Sequence, residues 1–142
     1  MAGRAFTFAL FAALCWGIAP IFGKMGLLKA EPSLALALRS FVVALVLLMW
    51  GVAGGWLKEL GTLVGTREGV YIAIEGLLAS FVGHLAYFYA LKYGEASRMV
   101  PVTSSFPLFA LFFALLLLRE ELAWDKVFGA LLIVAGIILL RR

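Results

Sequence analysis

The sequence predicts an all-α, polytopic membrane protein with five spanning helices, and three observations carry that expectation. Hydrophobic residues make up 65% of the 142, against roughly 45–50% in a soluble domain, and the mean hydropathy is +1.09. They gather into five runs, each near the ~20 residues an α-helix needs to cross a bilayer core. Charged residues, 14% of the chain, stand mostly near the ends of those runs, where topology signals belong. Five spans leave no stretch for a soluble domain of about 50 residues or more. Residues 1–142 are therefore expected to form a single transmembrane domain whose function lies inside the membrane.

The first span is expected over residues 5–23, after Arg4. A signal peptide has the same ingredients, but a run of about 19 residues favours a span. A lipoprotein signal around Cys15 fails because Leu14 stands where a small residue is wanted. Trp16 lies about two turns from the nearer end, too deep for a belt tryptophan, as either a packed ring or a cavity wall. A polar link, Lys24 to Pro32, leads to the second span at 33–52, with Pro32 and Ser33 as stop and start signals. Arg39 lies about two turns inside this span, where it either snorkels to the headgroups or serves a site or an ion pair. Gly54-Gly55 and the segment up to Glu68 read as the longest loop, with Trp50 and Trp56 as interfacial anchors.

The third span, 69–91, carries Ser80, Tyr87 and Phe88 on the helical face of His84, four residues before it and three and four after. Glu75 precedes His84 by nine residues, half a turn round a regular α-helix, so the two are not expected to share a face. The elbow KYGEASR leads to the fourth span, 97–118, in which Pro101 and Pro107 flank Thr103, Ser104 and Ser105. Proline removes an amide donor and clashes with the preceding turn, so this helix is expected to break between Thr103 and Phe106. Polar groups and prolines at such depth are tolerated where they face a bundle interior or an aqueous cavity. The hairpin from His84 to Leu118 therefore reads as a lined pathway. After Arg119-Glu120-Glu121 the fifth span, 126–140, has small-residue patches at Gly129, Ala130, Ala135 and Gly136 suited to close helix packing.

Several function classes are disfavoured. The net charge of +4 forms no basic stripe of the kind that nucleic acid requires. One cysteine cannot form an intramolecular disulfide, and no Cys/His spacing suits a metal, so no cofactor is expected. The chain has no phosphate-binding GxxxxGK[ST] loop and no nucleophile paired with a base, so neither ATP use nor an enzymatic reaction is expected. The absence of Asn and Gln hints at a hot environment.

The residues resemble one EamA-type repeat of the drug/metabolite transporter superfamily over nearly the whole chain. The resemblance rests on Trp16-Gly17 with Pro20 and Lys24, on Pro32 and Arg39, and on YFYALKYGEAS from Tyr87 to Ser97. It continues through Pro107, LLLREEL with Glu120, and Gly129 and Gly136. Arg119 departs from the pattern, which commonly has glycine there. The larger departure is number: members usually carry two repeats as inverted halves around a cavity, whereas this chain has one, like the small five-helix members. The resemblance implies a prokaryotic inner-membrane transporter of small metabolites, amino acids or drug-like solutes, with the first four helices lining the cavity.

A secondary transporter working by alternating access is the leading expectation, and a structural or accessory membrane protein the alternative. Trp16, Ser80, His84, Tyr87, Phe88, Ser104, Ser105 and Pro107 are the expected solute path. One repeat supplies half a cavity, so an antiparallel homodimer is expected. Once Arg39 is set aside as intramembrane, the amino-terminal side holds five basic residues (Arg4, Lys58, Arg67, Arg119, Lys126) and the other side six (Lys24, Lys29, Lys92, Arg98, Arg141, Arg142). That bias is too small to fix one orientation, so dual insertion is expected. Inversion brings Arg39 of one chain level with Glu75 of its partner, where a cross-dimer ion pair is possible.

Overall fold

The computed structural model describes residues 2–118 and 123–140, and all the regular elements among them are helical. The chain forms two compact units, residues 1–93 and 94–142. The first contains α1 (Ala2–Leu27), α2 (Pro32–Gly54), a short α3 (Leu57–Val64) and α4 (Arg67–Tyr93). The second contains α5 (Ala96–Thr103), α6 (Phe106–Phe113) and α7 (Trp124–Leu140). Four stretches are long and apolar enough to cross a membrane: Gly3–Leu27, Pro32–Gly54, Arg67–Tyr93 and Ala96–Leu117. α7, with 17 described residues, is shorter than these. Most helices run a few residues beyond the boundaries expected from hydropathy. A helix satisfies its own backbone and continues through polar ends such as Lys24 once it has left the hydrocarbon.

The expected loop between the second and third spans is not a loop. Gly55, with φ of 74° in the left-handed region that glycine adopts without strain, ends α2. Then α3 forms, with Leu57, Leu60, Leu63 and Val64 at helical spacing. Eight residues hold too little of that period to stand out in the sequence. Trp56 packs edge-on against Trp50, ring centroids 6.1 Å apart. Gly51 and Gly54 make the room, since a Cβ at either would press on the Trp56 ring. Thr66 starts α4: its Oγ1 accepts from the Gly69 amide at 3.1 Å and donates to the Leu63 carbonyl at 2.7 Å. The chain passes so close here that a Cβ on Gly69 would overlap the Leu63 carbonyl oxygen.

Within α4, regular α-helix from Arg67 to Glu75 gives way to a π segment, Gly76–Gly83, before α-helix resumes at His84. The wider i→i+5 turns lower the rotation per residue. The half-turn offset expected between Glu75 and His84 presumed 3.6 residues per turn and does not apply across this segment. No hydrogen bond or ion pair joins the two.

The buried apolar residues of the first unit sit at one end of its long helices: Leu27 of α1, Leu36 of α2, and Phe88 and Leu91 of α4. Leu91 is 0% exposed. Two lysines tie the same ends together. Lys24 Nζ donates to the Leu91 carbonyl at 2.5 Å, one of the last four carbonyls of α4 that lack a helical partner. Lys92 Nζ donates to the Ala30 carbonyl at 3.0 Å and meets Glu31 Oε1 at 3.1 Å.

In the second unit α5 and α6 are separated by a turn at Ser104 and Ser105, inside the expected window from Thr103 to Phe106. Pro107 offers no amide to the Thr103 carbonyl. The backbone tightens instead: Ser105 donates to Val102 at 3.1 Å and Leu108 to Ser105 at 2.9 Å. The Thr103 and Ser104 hydroxyls fold back onto the Met99 and Val100 carbonyls at 2.8 and 2.9 Å. A second π segment, Ala114–Leu118, follows α6. Arg119, Glu120, Glu121, Arg141 and Arg142 lie outside the described residues.

Two outcomes follow for stability. Gly69→Ala forces the α3–α4 corner apart, at about 1–3 kcal/mol for an overpacked site. It should lower the melting temperature of the detergent-purified chain by several degrees, whereas Gly61→Ala, whose Cβ meets open space, should not. Lys24→Met should destabilise by about 1.5–3 kcal/mol through loss of a charged hydrogen bond, and Lys29→Met, at an exposed position, by far less. Tryptophan fluorescence during heating measures both.

Candidate functional site

Helical spacing places His84, Tyr87 and Phe88 on one face of α4, and the structure brings their rings together. The His84 ring meets Tyr87 edge to face at 5.9 Å between centroids and Phe88 at 5.8 Å, while Tyr87 and Phe88 lie 6.4 Å apart. Phe88 is buried, and His84 and Tyr87 are half-buried. His84 Nδ1 lies 3.3 Å from the Ala79 carbonyl, five residues back along the π segment. A carbonyl only accepts, so this contact requires the proton on Nδ1 and leaves Nε2 turned to other partners. The Tyr87 hydroxyl has no hydrogen-bond partner among the described residues.

Arg39, on α2, is exposed and stands at a similar depth. At 1.5 Å per residue it lies ~10 Å from Pro32, and His84 lies ~13 Å from Tyr93. Pro32 and Tyr93 stand at the same end of the unit, where Lys92 reaches Ala30 and Glu31. α2 packs against the His84–Tyr93 part of α4. Arg39 follows the buried Leu36 by three residues, on the same helical face. The ion pairs among the described residues are Lys92–Glu31 and Arg98–Glu95, and no carboxylate comes within ion-pair distance of Arg39.

Other nominated residues are not gathered in. Ser80 is exposed on the π segment, and Glu75 is exposed and contacts neither Arg39 nor His84 through an ion pair or hydrogen bond. Trp16 is 68% exposed. Its depth, ~16 Å from Leu27 at 1.5 Å per residue, places it near the level of His84. Ser104, Ser105 and Pro107 belong to the second unit, as do Gly129 and Gly136, where a Cβ would meet open space. Two clefts that the sequence did not announce border α3. One, of about 600 Å³, has Trp56, Glu59, Leu60 and Thr66 in its wall, and one of about 270 Å³ lies between α2 and α3. Neither is lined by a nominated residue. The sequence also did not announce that Arg39 and His84 lie at similar depths, ~10 and ~13 Å from their helix ends, because Pro32 and Tyr93 share an end only through the bonds of Lys92.

Comparison with known proteins gives the chain its family. The profile of the EamA-like transporter family matches residues 3–142. An uncharacterized transporter encoded in the cobO 3′ region of Sinorhizobium sp is 30% identical over 132 residues, 93% of this chain and 92% of its own. An uncharacterized protein of Methanocaldococcus jannaschii is 27% identical over 139 residues, 96% and 95% of the two chains. The uncharacterized transporter YoaV of Bacillus subtilis is 30% identical over 129 residues, which are 90% of this chain but 43% of YoaV. No solved structure matches the chain significantly. The chain belongs to the EamA-like transporter family and is an integral membrane protein.

Proposed function

We propose that this family member is a secondary transporter, which moves a small metabolite, amino acid or drug-like solute across a prokaryotic inner membrane by alternating access. No bond is made or broken. The observation that carries the reading is the cluster of His84, Tyr87 and Phe88 beside a π segment, deep in an otherwise apolar span, with Arg39 at its level. Polar groups at such depth are expensive unless they serve a pathway, and π segments recur at functional sites. Trp16 and Ser80 would extend the path in the first unit, and in the second unit Ser104, Ser105 and Pro107 would form a broken-helix feature of their own.

In this reading residues 1–142 are one domain with α7 as a fifth span, and the working form is an antiparallel homodimer inserted in both orientations. The lengths of the relatives support it. The chain spans nearly all of two of them but only 43% of YoaV and 45% of an Archaeoglobus fulgidus transporter. One chain here would do the work of one half there, and two copies, inverted, would rebuild the whole. Inversion would also bring Glu75 of the partner level with Arg39 and offset both burial costs when no solute is present.

His84→Ala should reduce solute flux in sealed proteoliposomes at least tenfold. The loss of two edge-to-face contacts, about 0.5–1.5 kcal/mol each, should leave the protein folded. Unchanged flux would remove His84 from the path, and no flux with any amino acid, purine or amphipathic cation would favour an accessory role. For topology, Gly3→Cys and Arg142→Cys, each in a Cys15→Ala background, should label from both sides of the membrane in intact cells. Strictly one-sided labelling would rule out dual insertion.

A further inference from the structure

A guanidinium ~10 Å inside a span, with no carboxylate within ion-pair distance among the described residues, calls for an anion. A side chain that merely snorkelled would turn toward lipid and the headgroups. Arg39 is itself exposed, and so open to a solute, but it shares a face with the buried Leu36 on a helix packed against the His84 segment. We infer that Arg39 and His84 form the anion-holding subsite of the solute path, and that the solute carries a carboxylate on an apolar body.

Each part of the site has a matching role. The planar guanidinium offers paired donors that fit a carboxylate in two parallel hydrogen bonds. The Tyr87 hydroxyl, unpartnered among the described residues, is a further donor. His84, with Nδ1 engaged by the Ala79 carbonyl, presents Nε2 as an acceptor for an amine or hydroxyl hydrogen beside the carboxylate. The edges and faces of Tyr87 and Phe88 suit an apolar or aromatic body. A cation would be repelled by Arg39, and a neutral solute would leave a charge deep in the span uncompensated. The inference rests on reading this cluster as the solute path.

Binding to the full chain, purified in a phosphate-free maltoside detergent and followed by calorimetry, tests it with three probes of one shape: 3-phenylpropionate, 3-phenylpropionamide and 3-phenylpropylamine. The acid should bind at least tenfold more tightly than the amide or the amine. Arg39→Gln should abolish that preference and Arg39→Lys retain part of it, both eluting from size exclusion as the parent does. Equal binding of the three probes, or undiminished acid binding by Arg39→Gln, would overturn the inference. So would binding of dihexanoylphosphatidylglycerol with none of 3-phenylpropionate, which would assign Arg39 to lipid headgroups. Acid binding without flux of any solute would sink the transport reading and leave the anion site standing. Flux of a cation undisturbed by 3-phenylpropionate would do the reverse.

Discussion

The first unit depends on two lysines that cross between helix ends. An α-helix leaves its last four carbonyls without partners, and near hydrocarbon there is little water to take them. Lys24, at the end of α1, donates to the carbonyls of Leu91 and Lys92 at the end of α4. Lys92 reaches the other way, to Ala30 and Glu31 at the head of α2. The apolar contacts beneath, Leu27, Leu36, Phe88 and Leu91, are non-directional. The lysine bonds are not, and they fix which turn of each helix stands beside which. Because three helices are registered at that end, depth counted inward from it has meaning, and Arg39 and His84 arrive at one level.

Two departures from regular α-helix then decide what the levels hold. In α4 the stretch bounded by Gly76 and Gly83 takes π geometry, which frees carbonyls from the ordinary i→i+4 pattern. The Ala79 carbonyl is met by the His84 ring and so orients it. In the second unit Pro107 withholds an amide, and the chain answers with two turn residues and two hydroxyls folded back on the preceding turn. Both devices satisfy the backbone locally. Neither needs a neighbouring helix to repair it.

The sequence made the long spans legible because about twenty apolar residues in a row have few other readings. It also made the break at Ser104 and Ser105 legible, since proline acts through its own missing hydrogen and needs no tertiary information. The grouping of His84 with Tyr87 and Phe88 followed from spacing within one helix. What sequence could not give depended on geometry that is not periodic. α3 is eight residues long, shorter than the window in which amphipathic spacing stands out. The π segment has no composition that distinguishes it from α-helix, so the Glu75 offset was computed with the wrong pitch. Ser80 shares a nominal face with His84 but stays exposed, because spacing fixes direction and not neighbours. Lys24 entered as a matching motif position, and its bond to a carbonyl 67 residues along the chain is visible only in the fold.

The balance of forces explains why so few polar groups carry so much. In water the exposed Phe41, Val42, Leu45 and Val46 of α2 would drive association by themselves. In lipid they gain almost nothing by leaving one apolar surrounding for another. Helix pairing in the bilayer therefore turns on close packing at small residues and on hydrogen bonds: the lysine bonds hold one end of the first unit, and close packing at Gly51, Gly54 and Gly69 holds the α3 end. Between those ends the helices are apolar along their length and lose little hydrophobic energy by shifting against one another. Arg39 is exposed along that length, and a charge left facing hydrocarbon is expensive. In the proposed reading, a group that neutralises Arg39 would lower that cost, and occupancy of the proposed site would be coupled to the arrangement of the helices by electrostatics.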